Sequence, residues 1–314
     1  MSPTMNNVAF LFPGQGSQQV GMGKALYEHS PAARAIFDEA DEALGMSISK
    51  MCFEGPAEDL TLTANTQPAI LTTSIAALAA LRERTDLKPS FYLGHSLGEF
   101  SALVAAGALR FADAVKLVRL RGQAMQEAVP AGVGAMAAVM GLDGETLEGL
   151  CREAAQGQVV SPANENGGGQ IVVAGHAEAV ERLGALVKEH KKRAIPLKVS
   201  APFHCALMQP AADRLADALA KVEVGTFSAP VITNVEAEPN EDPSRVAELL
   251  VRQVTHRVKW EASVQKAAHL GVDSAIEVGH GKVLAGLVRR IDRSISVLGV
   301  GSPEDIDVLN EGAS

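Results

Sequence analysis

The sequence predicts an α/β protein: a large domain with a parallel sheet over residues 1–130 and 200–314, interrupted by a small ferredoxin-like βαββαβ subdomain at 131–199. Three observations predict it. Short apolar runs give way at once to glycine-bearing turns and then to helical periodicity. A stretch of about 70 residues, the size of a small subdomain, reads strand, helix, two strands around a glycine hairpin, helix, strand. The composition is globular: of 314 residues 47% are hydrophobic and 21% charged. A chain of that length buries roughly 75% of its unfolded surface and needs no disulfide to make a core.

Taken in order, Val8–Phe12 is a buried strand stopped by Pro13-Gly14-Gln15-Gly16. Pro31–Leu44 reads as a helix. Pro68–Arg84 reads as another, with proline in its first turn and Ile70, Leu71, Ile75, Leu78 and Leu81 at helical spacing. Phe91–Leu93 is a second buried strand, and Leu97–Ala106 and Ala112–Val129 are helices. In the insertion, strands are expected at Ala135–Met140, from Val159, at Gln170–Ala174 and at Ala194–Val199, with helices Gly144–Ala155 and Ala177–His190. Beyond Ser200 the large domain resumes with a helix at Pro210–Val222 and an apolar run at Pro230–Thr233. Helices then start from Pro243 and Trp260, and a strand at Ser274–Val278 precedes a final helix at Val283–Ile291.

Composition excludes several classes. The net charge is −9, against a uniformly basic nucleic-acid binder. Cys52, Cys151 and Cys205 are odd in number and widely spaced, which is neither a disulfide framework nor a zinc-site spacing. No apolar run approaches the ~18 residues of a membrane span. The first residues have no basic and apolar leader, so no signal peptide is expected, and the expected compartment is the cytoplasm.

The sharpest chemical signal is Gly94-His95-Ser96-Leu97-Gly98, a G-x-S-x-G pattern between an expected strand and helix. Glycines relieve crowding at such a turn, lifting Ser96 from the sheet edge towards the free N–H groups of a helix start. The Leu97 N–H is placed to meet an oxyanion. The competing reading is a structural turn. A nucleophilic serine needs a base. Of the eight histidines, His204 is the best candidate, because it follows a break where the chain re-enters the large domain; His256 and His280 compete with it. His95 is read as shaping the turn. No aspartate claims the third place of a triad, since helix capping accounts for Asp113 and Asp143. The turn at Gly14–Gln18 fails both nucleotide-loop patterns. Arg119 and Arg121, two apart on one helix, cannot share a face. The residues alone favour a buried ion pair to a protein carboxylate for Arg121, with a substrate carboxylate as the alternative.

Together these pieces resemble malonyl-CoA:acyl carrier protein transacylases and the acyltransferase domains of polyketide synthases. The resemblance is carried by Phe12–Gln18, Gly94–Glu99, Arg121-Gly122, Gly169–Gly175, Phe203-His204 and Glu277–Leu284, in family order along nearly the whole chain. His280 departs from it, standing where relatives often carry proline.

The resemblance implies a hydrolase-like α/β domain with a ferredoxin-like insertion. It also implies ping-pong transfer of a malonyl group from malonyl-CoA to the phosphopantetheine thiol of acyl carrier protein, with no cofactor and no metal. Ser96 is then the nucleophile and His204 its base. The N–H groups of Gln15 and Leu97 form the oxyanion hole, and Arg121 clamps the malonyl carboxylate. The main-chain carbonyl of Gln253 orients the histidine. Phe203 crowds any substituent on the malonyl α-carbon, and Asn166 lines the channel. Basic residues at Lys188–Arg193 or Arg289–Arg293 are candidates to dock the carrier. A monomer is expected. The alternatives are a polyketide rather than a fatty-acid pathway, a serine esterase or thioesterase, and a non-catalytic scaffold.

Overall fold

The computed structural model describes residues 7–199 and 201–313. Ser200, taken above as the point of re-entry into the large domain, and residues 1–6, on which the leader reading rests, lie outside the described residues, as does Ser314. The chain runs β1 (Val8–Phe12), α1 (Lys24–His29), α2 (Pro31–Leu44), α3 (Ile48–Glu54), α4 (Ala57–Thr61), α5 (Thr63–Arg84), β2 (Phe91–Gly94), α6 (Leu97–Ala106) and α7 (Phe111–Glu127). It continues through β3 (Gly134–Met140), α8 (Gly144–Ala155), β4 (Val160–Gly167), β5 (Gln170–His176), α9 (Ala177–Glu189) and β6 (Arg193–Pro196). The last part comprises α10 (Gln209–Leu219), β7 (Val231–Ile232), β8 (Pro239–Asn240), α11 (Val246–Thr255), α12 (Trp260–His269), β9 (Ser274–Val278), α13 (Val283–Ile291), β10 (Ser296–Val300) and α14 (Pro303–Ala313).

The first sheet has the order β10-β9-β1-β2-β7-β8, parallel except for β8. In β1, Val8, Phe10 and Phe12 join one core cluster while Ala9 and Leu11 join another on the opposite face. Both faces are covered, so the strand reads as an unbroken apolar run. Because β1, β2, β7 and β9 are parallel, the loops that follow them open on one edge, where ligand sites of such sheets form.

The second sheet, β4-β5-β3-β6, is antiparallel throughout. Ala137, Val139, Ile171 and Val173 pack with residues of α8 and α9, while Met136, Ala138, Val172 and Ala174 belong to the main core of the large body. That period-2 division gives the sheet two buried faces and seats it against the first. Among the described residues, no helix is long and apolar enough to cross a membrane.

Several elements differ from the sequence expectations. α5 begins at Thr63, not Pro68, so the proline lies inside the helix. Proline has no N–H for the carbonyl four residues back. Here that carbonyl, of Ala64, instead accepts Arg119 Nη1 at 2.8 Å, and the same nitrogen meets Asn65 Oδ1. A side chain from α7 thus fills the gap the proline leaves. β6 stops at Pro196 rather than Val199. The segment from Pro243 starts as a 3-10 turn before α11. The helix at Val283–Ile291 is not the last, because β10 and α14 follow it.

Candidate active site

The turn between β2 and α6 is built by what two glycines lack. A Cβ on Gly94 would stand 1.9 Å from the Gly98 carbonyl, and one on Gly98 would stand 2.0 Å from the Phe12 carbonyl oxygen. The chain therefore folds tightly enough to hold Ser96 at φ 52°, ψ −107°, a conformation non-glycine residues seldom adopt. Asn234, in the loop after β7, braces it. Its Oδ1 accepts the Ser96 N–H at 2.7 Å and its Nδ2 donates to Gly94 O at 2.7 Å. Strain held by surrounding hydrogen bonds is a recurrent property of functional turns.

His204 is 4% exposed and also has positive φ, 59°. Its Nε2 lies 2.7 Å from Ser96 Oγ and its Nδ1 lies 2.7 Å from the main-chain carbonyl of Gln253. A carbonyl only accepts, so Nδ1 carries the proton and Nε2 presents its lone pair to the serine hydroxyl. Burial, helped by the Arg121 charge, pushes the His204 pKa down to about 3. The ring is neutral at pH 7, the state that can accept a proton. A peptide carbonyl occupies the position where a triad would place a carboxylate.

Arg121, on α7, is 1% exposed. Its Nη1 donates to Gln67 Oε1 at 2.7 Å, and its Nη2 to Gln253 Oε1 at 2.8 Å and Ser96 Oγ at 3.2 Å. The ion pair to a protein carboxylate favoured from sequence is corrected here: the hydrogen-bonding partners are neutral amides and a hydroxyl. The nearest opposing charge, Glu99, lies behind the Gln253 amide. Burial lowers the guanidinium to about 10, still charged at pH 7, with Glu99 acting in the opposite direction. Arg119, by contrast, leaves the site to serve α5.

These groups open on one cavity of ≈ 190 Å³. Ser96, His204, Arg121, Gln15, Leu97, Phe203 and Asn166, all singled out from sequence, line it. Met136 and Val172 of the second sheet close the opposite wall. Asn166 reaches the turn through its Oδ1, which lies 2.9 Å from His95 Nε2. His95 is half-buried on the cavity wall, and desolvation lowers its pKa. Gln253 is the one residue of the set that stands behind the cavity, fully buried.

The rival histidines lie elsewhere. His256 is exposed on its own helix end, and His280 meets Gln19 Oε1 at 3.2 Å. Asp143 caps α8 through Thr146 N–H, and Asp113 pairs with Arg110. Among the described residues, no cluster of three or more His, Cys, Asp or Glu is arranged to hold a metal. Sequence reading missed Gln67, Asn234 and the inward role of Glu99. Their partners lie far away in the chain, so no local pattern marks them.

What the arrangement offers is a serine hydroxyl, a neutral imidazole to take its proton, and a buried cation facing the same space. Comparison with known proteins agrees. Residues 9–306 match the family described as "Acyl transferase domain". The "Malonyl CoA-acyl carrier protein transacylase" of Bacillus subtilis strain 168 is 51% identical over 306 residues, 97% of this chain and 96% of that protein. An acyl carrier protein S-malonyltransferase crystal structure from Vibrio cholerae superposes with TM-score 0.95 at 46% identity, covering 97% of this chain and all of that one. A type II PKS acyl-carrier protein in complex with its malonyl-transacylase matches with TM-score 0.94 at 44% identity, covering 98% and 99% of the two chains. With a match across nearly its full length and relatives near half identity, the chain belongs to the acyl transferase family.

Proposed function

We propose that this chain is an acyl carrier protein S-malonyltransferase, which moves a malonyl group from malonyl-CoA to the phosphopantetheine thiol of acyl carrier protein in fatty acid biosynthesis. The reading is carried by Arg121. A buried guanidinium held by neutral partners, 3.2 Å from the nucleophile, is suited to an anionic substrate group. Acetyl esters offer none. A dicarboxylic acyl thioester offers a carboxylate near the carbonyl under attack.

The geometry of Ser96, His204 and Gln253 supports the following steps. Ser96 Oγ attacks the thioester carbon while His204 Nε2 takes its proton, and Gln253 O holds the opposite edge of the ring. The oxyanion is received by the N–H groups of Gln15 and Leu97. Collapse breaks the C–S bond, His204 returns the proton to the CoA sulfur, and malonyl-Ser96 remains. The carrier thiol then gives its proton to His204, attacks the ester carbonyl, and leaves with the malonyl group as serine recovers its proton. Each half reaction is balanced by one histidine and requires no metal. Phe203 and Asn166 shape the cavity around the acyl group and its pantetheine arm.

On this reading the protein is cytoplasmic and monomeric. Residues 131–199 form a subdomain that supplies one wall of the cavity, and the carrier is guided by basic residues near Lys188–Arg193 or Arg289–Arg293. Service to a polyketide pathway is the second reading, supported by the likeness to the type II PKS transacylase. Brief incubation with malonyl-CoA followed by intact mass measurement should give one malonyl adduct, lost in Ser96→Ala and discharged by holo-carrier protein. Hydrolysis without transfer would favour a thioesterase, and no adduct would refute the assignment.

A further inference from the structure

Glu99 is a buried carboxylate that the acyl-transfer steps leave unused. It lies in the first turn of α6, three residues after the nucleophile, and is 1% exposed. One of its oxygens, Oε2, receives two N–H groups: the main-chain N–H of Asn234 at 3.1 Å and Gln253 Nε2 at 2.8 Å. Both donors belong to residues that hold the reactive groups. Asn234 braces the serine turn. Gln253 accepts Arg121 on its Oε1, donates from Nε2 to Ser96 O at 2.9 Å, and receives the His204 ring on its main-chain carbonyl.

A carboxamide has one accepting and one donating end, of similar size and shape. A carboxylate can only accept. Glu99 therefore requires the Gln253 amide to turn Nε2 inward, which leaves Oε1 facing Arg121. A side chain such as leucine would fill the same space without specifying that choice. Burying a carboxylate is costly, and its retention without a direct ion pair indicates a use beyond packing.

We propose that Glu99 is a positioning residue of the transferase, acting through Gln253: it fixes the orientation of that amide and thereby the reach of Arg121 into the cavity and the seat of the carbonyl behind His204. The chain of contacts is carboxylate, amide, guanidinium, with charges of opposite sign at its ends. Burial raises Glu99 to about 7 while the two N–H donors and Arg121 act to lower it. Since Oε2 accepts whether or not the other oxygen holds a proton, the geometry persists in both states.

The role of Glu99 rests on the malonyl reading for its substrate, so the test includes a readout that does not. The rate of Ser96 phosphonylation by a fluorophosphonate reads serine reactivity alone, and malonyl-CoA kinetics read the complete site. Glu99→Ala and Glu99→Asp, which withdraw the acceptor, should each lower both rates by about 10- to 100-fold, the scale of a misplaced catalytic group. Glu99→Gln, which keeps an oxygen for both N–H groups, should stay within ~3-fold of wild type on the same argument. The double variant Glu99→Ala/Gln253→Ala should be no slower than the worse single one, because two members of one chain do not add.

Wild-type rates in a folded Glu99→Ala or Glu99→Asp would overturn the proposal, as would losses that multiply in the double variant or a Glu99→Gln as slow as the alanine. If the alanine variant does not fold, the aspartate and glutamine variants decide. A wild-type protein phosphonylated at Ser96 but never malonylated would refute the malonyl reading and leave the Glu99 comparison legible.

Discussion

Replacing Arg121 by alanine removes the buried cation and leaves the Ser96–His204 pair in place. Its size can be worked from the contacts. The guanidinium is 1% exposed, so a carboxylate meeting it in the cavity is largely out of water. Each hydrogen bond to a charged group is worth about 1.5–3 kcal/mol, so a pair contributes ~3–6 kcal/mol. At 1.36 kcal/mol per tenfold, kcat/KM for malonyl-CoA should fall roughly 10²- to 10⁴-fold. Acetyl-CoA makes no such contact, so its kcat/KM should hold or rise. Removing Arg121 also strips Glu99 of its countercharge. The two groups are separated by the Gln253 amide, and Glu99, already raised to about 7, can take a proton, which limits the loss of stability. The assay is rapid-quench intact mass of the Ser96 adduct with the two thioesters, run beside a thermal melt. A folded variant with an unchanged malonyl-to-acetyl ratio would refute the clamp.

Gly98→Ala should be severe, because its Cβ would meet the Phe12 carbonyl oxygen at 2.0 Å; we expect a loss of ~3 kcal/mol or more, read as denaturant midpoint or as insoluble protein. The His204 shift makes a pH prediction. With its folded pKa held near 3 and its unfolded value near 6.5, the neutral base persists as pH falls below 6, so kcat/KM should show no histidine limb near 6.5. The same shift means the unfolded chain binds the extra proton between those values, so this residue's contribution to stability falls as pH drops through that window. Glu99, raised from 4.5 to about 7, contributes the opposite slope between those two values, so Glu99→Gln should uncover a steeper acid loss in pH-dependent melts. Arg119→Ala should cost ~1–2 kcal/mol by stranding the Ala64 carbonyl, and Pro68→Ala in the same chain should restore part of it by supplying an N–H; an unaltered melting temperature in the single variant would contradict that account.

The sequence made the serine turn legible because its requirements are local. Two glycines four apart, bracketed by an apolar run and a helical period, describe the close approach found between Gly94, Gly98 and Phe12. The apolar runs in Ala135–Met140 and Gln170–Ala174, with the glycine hairpin before the second, made the second sheet legible for a similar reason, since both of its faces are buried. The start of α5 was hidden because proline reads as a first-turn residue, and the group that lets it sit deeper, Arg119, comes from another helix. α1, α3 and α4 have six, seven and five residues, too short to show a period. Arg121 was assigned a carboxylate by general expectation. Its actual companions, Gln67 and Gln253, are 54 and 132 positions distant, which no spacing rule reaches.

The acceptor behind the imidazole belongs to the peptide bond of residue 253, and every amino acid brings one. Point substitution therefore has no means of deleting it, and a scan of that position would register what the side-chain amide does for Arg121, Ser96 and Glu99. Tautomer control here is insured against sequence drift in a way that an aspartate is not. Losing it would take a shift of the whole α11 backbone, so an insertion or a proline placed just upstream, rather than any replacement at the site itself, is the lesion that would silence the histidine.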